Sequence, residues 1–84
     1  MDLKKAYDLA LEYFKREDDI KEIASASEDE ECWYFRAGEK NIAMIGIIIV
    51  SVDKKSGKIE QIDYLKKSNQ MRIVKSRPVD LTDL

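Results

Sequence analysis

Ile42-Ala43-Met44-Ile45-Gly46-Ile47-Ile48-Ile49-Val50-Ser51-Val52 is the stretch on which the fold turns. It is rich in isoleucine and valine, and its apolar character is nearly continuous, as in a strand covered on both faces. Alternation places Ile42, Met44, Ile48, Val50 and Val52 on one face and Ala43, Ile45, Ile47 and Ile49 on the other. Gly46 marks a bulge or a close approach of another backbone. The apolar run from Ile42 to Val50 is far short of the roughly 20 residues that span a bilayer. It is expected to be the core strand of a cytoplasmic protein with no membrane partner.

The segments on either side read as its hairpin partners. Asp53-Lys54-Lys55-Ser56-Gly57 is a turn, with Gly57 suited to the left-handed position, and Lys58 to Tyr64 returns as the next strand. Upstream, Ala37 to Asn41 is a turn and Cys32-Trp33-Tyr34-Phe35-Arg36 a strand, with Trp33 and Phe35 opposed to Tyr34 and Arg36. Glu28-Asp29-Glu30-Glu31 then forms a hairpin loop. Lys21 to Ser27 is read as an edge strand with Ile23 as its main apolar contact, in preference to two further helical turns through Ile20, Ile23 and Ala24.

The ends of the chain complete the plan. Leu3, Ala6, Tyr7, Ala10, Leu11 and Phe14 recur at three- and four-residue steps and predict an N-terminal helix. Asp2 caps its start, while Lys15 and Arg16 suit its end. Towards the C-terminus, Ser68 caps a short helix over Asn69 to Lys75 that ends before Pro78, or Met71 to Val74 forms a fourth strand. Residues 76–84 are expected as a loosely ordered tail. The expected fold is therefore α+β: one domain over 1–84, a helix on a curled antiparallel sheet of three to four strands, and a short C-terminal helix or strand. One helix covers only one face, so the second face of the core strand needs the C-terminal segment, a second copy or a partner.

Composition narrows the function more than it defines it. A chain of 84 residues has room for one core, and 44% hydrophobic content is that of a folded domain. Net charge is -2, so nothing general draws the chain to nucleic acid or anionic lipid. Trp33, Tyr34 and Phe35 are not a base-stacking platform, because neighbours on a strand face opposite ways. No histidine is present, which removes the commonest general base and metal ligand together. The single Cys32 has no partner for an internal disulfide and sits beside four acidic residues, which raise a thiol pKa. The glycines, Gly38, Gly46 and Gly57, cradle no phosphate, and the acidic run lacks the ligand spacing of a calcium loop. The expectation is a non-enzyme without cofactor or metal.

Two charged segments stand out. The acidic run Glu28 to Glu31 either keeps a hairpin tip soluble or seats against a basic cleft of a partner, where long-range attraction speeds encounter. Lys54, Lys55 and Lys58 surround the second hairpin, where lysines also serve solubility.

Trp33-Tyr34-Phe35, followed by an apolar strand closing on Val52-Asp53-Lys54-Lys55-Ser56-Gly57-Lys58-Ile59, resembles the immunity protein 35 family. In that family an N-terminal helix precedes an aromatic W-x-F strand and a strand ending in a V-D-K-x-T-G-x-I-like hairpin. Here Ser56 stands where threonine is commoner. The resemblance covers roughly residues 2 to 75 and is concentrated between Trp33 and Ile59. It implies a helix on an antiparallel sheet, a plan also found in cystatin-like and PepSY-like proteins. It further implies a bacterial cytoplasmic protein that neutralises a toxin of a polymorphic-toxin system by binding it. The expected contact residues are Glu28, Asp29, Glu30 and Glu31, the outward Tyr34 and Arg36, and Lys54, Lys55 and Lys58. A structural or chaperone-like homodimer, joined through the two-sided core strand, is the alternative.

Overall fold

The computed structural model describes residues 1–38, 48–82 and 84. Helix α1 spans Leu3–Asp18, followed by β1 (Glu22–Glu28), β2 (Cys32–Gly38), β3 (Ile49–Asp53) and β4 (Ile59–Ile62). Helix α2 (Lys67–Lys75) and β5 (Arg77–Val79) complete the described elements. The strands form one antiparallel sheet in the order β4-β3-β2-β1-β5. The α+β plan is as expected, with a fifth strand added. Residues 42–47, Gly46 and the expected turn residues 39–41 lie outside the described residues, whereas Ala37 and Gly38 belong to β2.

Local chemistry accounts for α1. The Asp2 carboxylate accepts the Lys5 N–H at 2.9 Å, relieving one of the unpaired donors of the first turn. Ala6, Ala10 and Phe14 form its buried stripe. Asp19 ends the helix in the left-handed region at φ 54°, and the Ile20 N–H closes back on the Phe14 carbonyl at 3.1 Å. Ile20 is thereby turned into the core, 1% exposed. Replacing Asp2 with alanine should lower stability by about 1 kcal/mol and the melting temperature by roughly 4–8 °C. A thermal melt followed by circular dichroism checks this, and an unchanged midpoint contradicts the cap.

The sheet has two differently covered faces. Against α1 lie Ala26, Trp33, Phe35, Val50 and Val52, all buried, with Ile48 packed beside them. On the opposite face Cys32, Tyr34 and Ile49 pack with Ile62, Tyr64 and Ile73 of α2. The expected division of Ile48, Val50 and Val52 from Ile49 is what β3 and its approach display. Of the three possible covers for the second face, the C-terminal segment supplies it over these residues.

β1 differs from expectation in place. It is flanked by β2 and by β5, so it is not an edge strand where Ala26, Ser27 and Glu28 pair with Val79, Pro78 and Arg77. Ala26 is buried and Ile23 packs partly buried against the same core, because Ala24 is an extra residue between the pairs Ile23–Ala37 and Ser25–Arg36 and brings both to one face. The segment read as a loose tail therefore includes a sheet strand. Pro78 is tolerated there because β5 is bonded on one side only. Between β3 and β4, Gly57 takes φ 75° as the hairpin requires. α2 starts one residue before Ser68, after Lys66, which provides no side-chain cap.

Candidate functional site

The two charged tips are neighbours. Cys32 pairs with Asp53 in the β2–β3 register, and the Lys54 N–H donates to the Glu31 carbonyl at 2.8 Å. The β1–β2 loop and the β3–β4 hairpin therefore share one end of the sheet. There Glu30, Glu31, Asp53 and Lys55 surround a concavity of about 330 Å³.

Each tip is braced from within by an aspartate. One oxygen of the Asp29 carboxylate accepts the N–H groups of Glu31 and Cys32, both at 2.8 Å. Its other oxygen accepts the Tyr34 hydroxyl and lies 3.6 Å from the Arg72 guanidinium. Asp53 does the same for its hairpin, accepting the N–H groups of Lys55 and Ser56, both at 2.8 Å. Burial pushes the Asp29 carboxyl up, but the Tyr34 hydroxyl, the two backbone donors and Arg72 outweigh it and hold it below the ordinary aspartate range. Asp53 is also held low, first by the Ser56 and then by the Lys55 N–H.

The expected contact residues divide accordingly. Glu28 is paired with Lys54 at 2.6 Å, and the Lys54 ammonium lies 5.2 Å over the Trp33 ring. Asp29 is the brace just described. Glu30 and Glu31 point outward, with side chains 85% and 79% exposed, although Arg77 approaches the first at 3.3 Å and Arg72 the second at 3.8 Å. Lys55 and Lys58 are exposed, and Lys58 pairs with Glu60 at 3.0 Å. Arg36 is exposed but lies at the other end of β2, away from the tips.

Tyr34 is not the outward residue that alternation suggested. It is 2% exposed, because α2 lies across that face and the Arg72 guanidinium sits 5.5 Å above its ring. Burial first, then the Asp29 carboxylate, keeps its hydroxyl protonated far beyond the usual tyrosine range. The Cys32 thiol is also pushed up, mainly by burial, while Arg72 at 3.9 Å pulls the other way. A thiol so placed is a weak nucleophile at neutral pH.

Sequence reasoning missed Arg72, which ties the acidic loop to α2, and Arg77, which reaches Glu30 from β5. Their signal was a charge bias. Lys66, Lys67, Arg72, Lys75 and Arg77 fall in a segment without an acidic residue, opposite in sign to Glu28–Glu31.

Comparison with known proteins finds no family model, curated protein or solved structure that matches this chain. No helix among the described residues is long and apolar enough to cross a membrane.

Proposed function

We propose that this chain is a non-catalytic protein-binding module, an immunity-like inhibitor that occupies a toxin by docking the charged end of its sheet. The observation that carries this reading is the joining of two separately predicted loops into one rim, with Glu30, Glu31 and Lys55 displayed around a concavity. Rims of this kind steer encounter and exclude wrong partners. The internal carboxylates of Asp29 and Asp53 hold both tips before any partner arrives, which reduces the ordering cost of association. The resemblance of Trp33 to Ile59 to the immunity protein 35 family points the same way. The homodimer alternative was motivated by an uncovered apolar face, and over Cys32, Tyr34 and Ile49 that face is covered by the chain's own α2.

The informative variant is Glu30→Ser with Glu31→Ser, because changing Glu28 or Asp29 as well would confound binding with folding. A tagged chain passed over a lysate of its source cells should retain one stoichiometric partner. With that partner purified, the double variant should associate about tenfold more slowly and with a flatter dependence on salt. Stability should stay within about 0.5 kcal/mol of the parent, as for exposed positions. Equal association rates and equal salt slopes for parent and variant would sink the reading.

A further inference from the structure

The sheet face turned away from α1 is only partly filled by α2. Between them lies a cleft of about 330 Å³, whose lining includes Ser25, Arg36, Ile49, Tyr64 and Ile73. Register sets its floor: Ser25 pairs with Arg36, Arg36 with Ile49, and Ile49 with Ile62, giving one cross-strand row. Ile49 and Ile73 make the interior apolar, and Pro78 closes one side. The polar groups differ in their commitments. Ser27 and Ser76 bond to each other at 2.7 Å. Tyr34 is taken up by Asp29. Arg36 brings a full positive charge to the cleft and, unlike Arg72 and Arg77, faces no carboxylate among the described residues.

An apolar cavity with one guanidinium and flanking hydroxyls has the chemistry of an amphipathic acid site. The volume lies at the low end of the roughly 300–1,000 Å³ of small-molecule pockets, enough for on the order of ten non-hydrogen atoms. A planar guanidinium matches a carboxylate bidentately, whereas a phosphate dianion would call for more positive charge than one arginine supplies. We infer that this cleft binds an amphipathic monocarboxylate, its head on Arg36 and its apolar chain over Ile49 and Ile73. The same chemistry is presented by a free medium-chain acid and by the C-terminal apolar residue of another polypeptide. This site is separate from the charged tips and does not depend on their role.

The test is titration of the isotope-labelled full chain, followed by amide chemical shifts, with octanoate and with octanol as its uncharged counterpart. A short peptide ending in leucine carboxylate is compared with the same peptide amidated. Octanoate should give saturable shifts at Ser25, Arg36, Ile49 and Tyr64 and bind about tenfold tighter than octanol. Arg36→Gln, a change at an exposed position, should remove that difference and leave octanol binding unchanged. Binding of the peptide acid but not of octanoate supports the site and identifies a polypeptide terminus as its source. Equal affinity for octanoate and octanol, an undiminished response in Arg36→Gln, or no saturable shift with either carboxylate overturns it. Glu30→Ser with Glu31→Ser should bind octanoate like the parent, so this inference and the tip reading fail independently.

Discussion

Phe35→Ala is expected to lose about 4 kcal/mol of stability, a large share of what a domain this small possesses. For 84 residues the usual range of total stability is roughly 4–13 kcal/mol. Phe35 is fully buried at the centre of β2, flanked in register by Ala26 and Val50. Tyr7 of α1 meets its ring edge to face, with centroids 6.2 Å apart and planes at 79°. Truncation to alanine removes the contact between helix and sheet at the point where neither can collapse onto the other. Phe35→Leu keeps much of the volume and should lose no more than about 1.5 kcal/mol. The single tryptophan, Trp33, is 8% exposed and reports unfolding by fluorescence in urea. A loss below about 1 kcal/mol for the alanine variant would mean that α1 does not pack on this face.

The same residue illustrates what a sequence can reveal. Phe35 and Trp33 were placed on the core face by alternation alone, and α1 by the spacing of Ala6, Ala10 and Phe14, because both patterns are local and repeat the period of their element. The hairpin after Val52 and the positive φ of Gly57 were legible from turn chemistry, although Asp53, read as a turn residue, ends β3 in register with Cys32. Tyr34 was placed on the correct side of the strand but given the wrong exposure. Alternation states which face a side chain takes, whereas its burial depends on α2, more than thirty residues later. β5 was missed because three residues containing a proline carry almost no strand pattern. It exists because β1 offers it a free edge, a fact of topology and not of Arg77 to Val79 themselves.

The candidate site was legible in part. Glu28 to Glu31 read as one acidic patch because charge is counted without regard to direction. In the fold the four residues have separate work: Glu28 holds Lys54, Asp29 braces the loop, and Glu30 and Glu31 face outward. A finer signal was available in the aspartates. Asp29, Asp53, Asp63 and Asp80 each accept the N–H two residues ahead, a turn habit of short carboxylates that glutamate lacks. Read in that way, Asp29 is a turn residue beside outward glutamates. Arg72 was marked only by the basic bias of its segment, which does not name its partner, since it lies 40 residues from the Cys32 it approaches.

That distinction gives the second large effect. Asp29→Ala is expected to destabilise the fold by about 3 kcal/mol, because it strips two backbone donors, the buried Tyr34 hydroxyl and the Arg72 guanidinium of one shared acceptor. Asp29→Asn keeps an oxygen for the backbone donors but removes the charge, and should lose about half as much. Acidity separates this from a generic loop defect. The folded-state pKa of Asp29 is depressed, so its contribution is complete above the unfolded value of about 3.9 and disappears as pH falls through the lower folded value. Urea midpoints of the parent should therefore decline from about pH 5 downward, and the Asp29→Asn variant should decline less over the same range. Glu30, Asp53 and Asp80 are also depressed and leave the variant a residual slope. Parallel acid profiles for parent and variant would show that the carboxylate charge contributes nothing to the fold. The cooperating group is tested by Tyr34→Phe: in the Asp29→Asn background it should add less than it does alone, since the two side chains share one bond. With both changes additive, the brace would reduce to the two backbone donors, and Arg72 would hold α2 through its stacking on the Tyr34 ring.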